Sequence, residues 1–226
     1  MIDTVVLRDS AAIKFFNNEM AFVRINAEED TILAQEYRIS GYPTIVMLGA
    51  DGKEVDRLIG YIPPVPFVQK FRDYANGIGT LEDLLNRAAA KTDRALFMEI
   101  GMKYKYRGGT EDATYWYTRA LEEGDALDSL SGECRIALAD MHRRAKNYDK
   151  ALADYAQITA DFGDLPAGTD AEIWTAIIYR KTGDTAKAVA QFEAFIENHP
   201  NHGDAEYCRQ QIVKLTTPAE EDDQSH

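Results

Sequence analysis

The chain has 226 residues, 45% of them hydrophobic and 28% charged, the composition of a folded protein of one or two domains. Its net charge is −13, divided as 8 basic against 11 acidic side chains in residues 1–77 and 17 against 27 in residues 78–226. Phosphate binding needs a basic footprint, so this balance argues against nucleic acid as a partner. No apolar run approaches the roughly 20 residues of a membrane span, and the opening residues carry no charged-then-apolar export leader.

Asp9 or Ser10 is a good helix cap, and DSAAIKFFNNEM reads as a helix with Ile13 and Phe16 on one face. Ala21 to Ile25 (AFVRI) alternates like a strand. Thr31 to Tyr37 reads as a short helix offering Ile32, Leu33 and Tyr37 for packing. Gly41 and Pro43 stop it, and Thr44 to Leu48 predicts a buried strand. Asp51-Gly52-Lys53 is a hairpin turn that returns the chain along Glu54 to Ile59. Pro63 and Pro64 break the chain before a closing helix from Val65 to Tyr74.

This order resembles the C-terminal two-thirds of a thioredoxin domain. The residues that carry the resemblance are the Asp9 to Phe16 helix, the Gly41-Tyr42-Pro43-Thr44 loop, the Asp51-Gly52-Lys53 turn and the Gly60-Tyr61 strand end. The resemblance implies a cis peptide bond before Pro43, a minority state even for X–Pro bonds. It also implies a substrate platform at Gly41, Tyr42, Pro43 and Thr44, where the residue before the proline offers its backbone to an extended polypeptide. In that family a CxxC dithiol stands just ahead of the segment resembled by MIDTVVLRDS, so the catalytic pair is absent from this sequence. The strand leading into CxxC, which the family places between the counterparts of AFVRI and TIVML, is absent with it. A sheet lacking its middle strand leaves costly unpaired backbone groups. The expectation is therefore a fragment, or an internal methionine taken as a start. A natural redox-dead variant and a strand supplied by a partner chain are the alternatives.

Gly77-Ile78-Gly79-Thr80 reads as a linker, and the sequence beyond it turns helical and repeats. Three segments, near 95–127, 132–163 and 170–202, each place an alanine four residues before an aromatic: Ala113/Tyr117, Ala151/Tyr155 and Ala188/Phe192. The alanines are 38 and 37 residues apart. Helix–turn–helix units with a period of about 34 residues resemble tetratricopeptide repeats. Gly101, Ala139 and Ala176 supply the small contact of each first helix, Tyr104, His142 and Tyr179 the larger side chain, and Pro200 closes the third unit. The resemblance implies that the first helices line a groove. Lys105, Tyr106, Arg143, Arg144, Arg180 and Lys181 would form a basic stripe in it, with Met98, Met102, Ile136 and Ile177 deeper, suited to an acidic or carboxylate-bearing peptide. The competing reading is that cations at helix C-termini merely complement the helix dipole.

The two cysteines, Cys134 and Cys208, are 74 residues apart and fit buried helix positions better than a redox pair. A redox role for either predicts a lowered thiol pKa and fast alkylation. His199 and His202 flank Pro200 without a clear third ligand, so neither a metal nor a cofactor is expected.

These readings give an α/β plus all-α architecture: a partial thioredoxin-like domain over 1–77, tetratricopeptide-like repeats over 78–216, and an acidic, disordered tail over 217–226. The function implied is a thioredoxin-family thiol–disulfide protein or redox-linked chaperone, lacking its dithiol here, with a repeat array that binds protein partners. The alternative is a non-catalytic peptide-binding scaffold. The compartment stays open between bacterial cytoplasm and cell envelope.

Overall fold

The computed structural model describes residues 5–217, so the acidic tail beyond Thr217 lies outside the described residues. The chain divides into two compact units, residues 1–119 and 120–226. Packing therefore does not divide at the composition change near residue 77, because residues 78–119 fall in the first unit.

In the first unit, α1 (Ser10–Glu19) starts on Asp9, whose carboxylate accepts hydrogen bonds from the N–H groups of Ala11 and Ala12. Such a cap satisfies donors that have no partner inside the helix. The buried stripe of α1 is Ala12, Phe15 and Phe16, whereas Ile13 is 42% exposed. At about 100° per residue Ile13 lies about 100° from Ala12 and about 160° from Phe15, outside the stripe that these residues centre, although it is only about 60° from Phe16. A short α2 (Thr31–Glu36) is capped by Asp30 and leaves Ile32 exposed. β1 (Thr44–Leu48) and β2 (Glu54–Ile59) form an antiparallel hairpin in which Thr44 faces Ile59 and Met47 faces Asp56, with a bulge at Met47/Leu48. Gly52 takes φ +78° in the turn, a conformation that glycine adopts without steric cost. Next, α3 (Pro64–Ala75) packs Phe67, Val68, Phe71 and Tyr74 against Val6, Ala12, Phe15 and Phe16.

The alternating stretch Ala21 to Ile25 is not a strand. A strand needs a neighbour to receive its N–H and C=O groups. Among the described residues β1 pairs with β2 alone, and Val23 and Ile25 are exposed.

Gly77 to Thr80 is a tight turn. The Gly79 N–H donates to Asp83, and the Thr80 hydroxyl caps α4 (Leu81–Ala90). In α5 (Arg94–Tyr106), Leu96 and Ile100 pack with Leu84. The division between units falls within α6 (Thr110–Glu122). A Cβ on Gly101 would lie 2.9 Å from the Tyr117 ring, so α5 and α6 approach each other through the glycine.

The second unit continues the helical pairs: α7 (Ser129–Arg144) with α8 (Tyr148–Phe162), α9 (Pro166–Thr182) with α10 (Thr185–Asn198), then α11 (Ala205–Thr216). One core joins Ala139, Ala151, Tyr155, Ile158 and Phe162 to Ala171 and Ile178. The next joins Ala176, Phe192 and Phe195 to Cys208. All three alanine–aromatic pairs are buried, as the repeat spacing predicts. Small residues admit the neighbouring helix, and the ring four residues on fills the space between them.

Candidate functional site

The loop between α2 and β1 is held by hydrogen bonds at both of its ends. The Ile39 N–H closes the end of α2 on the Ala34 carbonyl at 2.8 Å. The Thr44 hydroxyl donates to the Gly41 carbonyl at 2.7 Å, and the Gly60 N–H donates to the Pro43 carbonyl at 2.9 Å. The Tyr42–Pro43 peptide is cis. Gly41, Tyr42, Pro43 and Thr44 are thereby fixed at the start of the hairpin. Tyr42 stands 70% exposed, and neither its N–H nor its C=O makes a backbone hydrogen bond among the described residues.

Two surface hollows meet at Tyr42. The larger, about 590 Å³, is lined by Ala27, Thr31, Ala34, Ile39, Tyr42 and Gly108 among others. The smaller, about 350 Å³, is lined by Arg24, Ile25, Asn26, Ala27, Glu28 and Tyr42. An exposed aromatic between two shallow hollows can pack against apolar side chains of an extended chain, while its open backbone groups can hydrogen-bond to it.

Behind this loop lies a buried ionic cluster. Asp56 on β2 is 0% exposed. Its carboxylate accepts from Lys103 Nζ at 2.9 Å, Arg107 Nη2 at 2.8 Å and the Leu81 N–H at 2.7 Å. Burial alone would push the Asp56 carboxyl up, but hydrogen bonds and charge from Lys103 and Arg107 outweigh it and hold the group below its ordinary value. Burial pulls the Lys103 amine down, and Asp56 opposes that shift. Burial and the Asp56 charge raise the Tyr74 hydroxyl, which lies 3.4 Å from Lys103 Nζ. Beside this cluster, Arg57 pairs with Glu54 and donates Nη1 to the carbonyls of Tyr37 at 2.9 Å and Tyr106 at 3.0 Å. The sequence reading missed these residues. Asp56 and Lys103 are 47 positions apart, and the only local signal was charge inside the returning strand of the hairpin.

The cations of the proposed groove have varied surroundings. Lys105 and Tyr106 belong to the first unit, where the Lys105 amine stands 5.9 Å from the Tyr106 ring centre. In the second unit Arg143 and Arg144 share the buried carboxylate of Asp140, with Nε distances of 3.0 and 2.8 Å, and Arg143 stacks 4.1 Å from the Trp174 ring centre. Arg180 bonds the Gln211 amide, and Lys181 is exposed. Met102 is exposed, while Met98, Ile136 and Ile177 are half-buried.

Cys134 and Cys208 are both buried thiols. Burial pushes the Cys208 thiol up to about 11, opposite to what a reactive thiolate requires. His199 meets Glu172 at 3.1 Å, and His202 lies beside Asp204.

A thioredoxin-like domain family matches residues 4–75, and a tetratricopeptide repeat family matches residues 170–202. Over 50 residues the chain is 40% identical to the thioredoxin of Mycoplasma pneumoniae (strain ATCC 29342 / M129 / Subtype 1), an alignment covering 22% of this chain and 48% of that protein. The chain thus spans about half the length of the curated relative it matches. Among solved structures it is similar to a putative kinesin light chain with nearly identical TPR-like repeats from Podosopora anserina. That match has a TM-score of 0.48 and 13% identity over 64% of this chain and 76% of the other. It is also similar to BtubC (BKLC) from P. vanneervenii, with a TM-score of 0.44 and 16% identity over 65% and 73% of the two chains.

Proposed function

We propose, from the premise that the chain joins a thioredoxin-like region to a tetratricopeptide-like helical array, that it belongs to a thiol–disulfide protein or redox-linked chaperone. In this reading the Tyr42 loop receives an extended protein client and the array recruits protein partners. The observation that carries it is Tyr42 itself: 70% exposed, on a cis-proline loop, between two hollows. Cys134 and Cys208 are both buried, and neither serves as a dithiol in this reading. The groove cations Arg144, Arg180 and Lys181 serve partner capture, and Arg143 is held to Asp140 as part of their support.

The test is the affinity for a fluorescein-labelled, reduced and carboxymethylated α-lactalbumin, read by fluorescence anisotropy. Loss of an interfacial aromatic anchor weakens binding by about tenfold or more, so Tyr42→Ala is expected to do so with folding intact. Equal affinity would overturn the client-site reading. A second reading, a non-catalytic polypeptide-binding scaffold, is favoured by the two buried cysteines and the raised Cys208 thiol. It predicts the same loss on Tyr42→Ala but no disulfide reduction by the native protein isolated from its source.

A further inference from the structure

We infer that the α5–α6 turn forms one wall of the Tyr42 client site, and that Arg57 is the residue positioning that wall. This inference rests on the client-site reading above and adds to it a contribution from the helical region.

The larger hollow has two sides. One is built from Ala27, Thr31, Ala34, Ile39 and Tyr42, all within the family-matched region. The other includes Gly108, in the turn between α5 and α6 and beyond that region. Gly108 takes φ +71°, and its N–H donates to the Lys105 carbonyl at 3.1 Å, so the turn has a defined shape. The adjacent Gly109 N–H bonds the Tyr104 carbonyl at 2.9 Å.

Arg57 joins the two sides directly. One guanidinium nitrogen, Nη1, reaches both the Tyr37 carbonyl at the end of α2 and the Tyr106 carbonyl at the end of α5. Its side chain is 4% exposed, and Glu54 accepts from the Nε and Nη2 edge of the guanidinium. Three further contacts secure the same join. Arg38 Nη1 donates to the Arg107 carbonyl at 3.3 Å, and Arg107 in turn bonds Asp56 and Glu54. A planar guanidinium presents donors in a fixed fork, which a lysine ammonium cannot reproduce. Arg57 thus ties the end of α2 to the end of α5, and with Arg38 and Arg107 it holds the Gly108 turn beside the loop that carries Tyr42. A client segment lying on Tyr42 and entering the larger hollow, whose lining also includes Gln35, Arg38 and Ser40, meets the turn, so the site receives an extended chain with one side chain in the hollow and its neighbour against the glycine.

The experiment is a ¹H–¹⁵N titration of the full chain with the same carboxymethylated α-lactalbumin, together with affinities of variants. The Gly108 and Gly109 amides are expected to shift along with those of Ser40 and Tyr42. Gly108→Asn adopts the positive φ more readily than other side chains but adds a Cβ 3.3 Å from Arg38 Cδ, and should weaken binding by about fivefold or more with only a small fall in thermal stability. Arg57→Lys should abolish the Gly108 shift while Tyr42 still responds, a signature that a loss of fold would not produce. If Tyr42→Ala weakens binding while Gly108 neither shifts nor matters, the client-site reading stands and this inference fails. If neither variant changes affinity, both fail. If Arg57→Lys does not fold, Gly108→Asn and the wild-type shifts decide the question.

Discussion

Both compact units have apolar cores, but the buried charge of the first reaches across elements, whereas that of Asp140 in the second pairs with arginines of its own helix. In the second, each helix meets its neighbours through small residues and rings: Ala139 and Ala151 beside Tyr155, Ala176 beside Phe192. In the first, α5 is tied to β2 by buried charge: Asp56, Lys103 and Arg107, with Arg57 and Glu54 alongside. Apolar interlocking is short-ranged and tolerant, and it suits a stack in which each layer touches only the next. A buried ionic cluster is demanding, because every member needs its partners. It gives specificity of position, which is what a client site with two walls requires.

The largest effect that separates the two regions should come from Asp56→Ala. It leaves the Lys103 ammonium and the Leu81 N–H without their acceptor in a dry place, a loss of about 3–5 kcal/mol. Urea unfolding that reports on the first unit should show it, with the second unit's transition unmoved. Gly101→Ala should cost about 1–3 kcal/mol by driving a methyl into the Tyr117 ring. In the second unit, Asp128→Ala removes the carboxylate that accepts the Ser131 N–H at 2.8 Å and should cost about 1 kcal/mol by thermal melting.

Acid should break the comparison in a set direction. The folded Asp56 carboxyl titrates below its ordinary value, so its contribution is present above the unfolded value of 3.8 and is lost as pH falls through the lower folded value. Below about pH 4 the first unit should lose stability, and Asp56→Asn should flatten that dependence. The smallest response belongs to the thiols. With the Cys208 thiol raised to about 11 by burial, native alkylation at neutral pH should be slow and should accelerate only on unfolding, as thiol quantification would show.

Features with a local cause could be read from the sequence. The Asp-Gly turn, the loop at Pro43 and the alanine–aromatic spacing each depend on residues within a few positions of one another. The cap at Asp9 was read this way, whereas those at Asp30, Asp93, Asp128 and Asp184, each accepting an N–H from the first turn of the helix that follows, were not. These carboxylates account for part of the acidic composition without any ligand. Ala21 to Ile25 shows the limit, since alternation states a preference for a strand and only a neighbour can satisfy it. Gly77 to Thr80 shows another: glycines suggested a linker, yet the backbone and Asp83 make a hydrogen-bonded turn there. The Asp56–Lys103 pair was beyond reach because charged residues ordinarily face water, and nothing nearby in sequence marks these as exceptions. At the candidate site, Gly41 to Thr44 could be read from the sequence through a family resemblance, whereas Arg57 and Gly108 required the folded arrangement.

Amide hydrogen exchange on wild type and Asp56→Ala tests the central claim, that β2 and α5 are held as one body by buried charge. The account predicts that protection falls together in Glu54–Ile59 and Arg94–Tyr106 while α9 and α10 keep theirs. Loss in the hairpin alone, with α5 still protected, would contradict it.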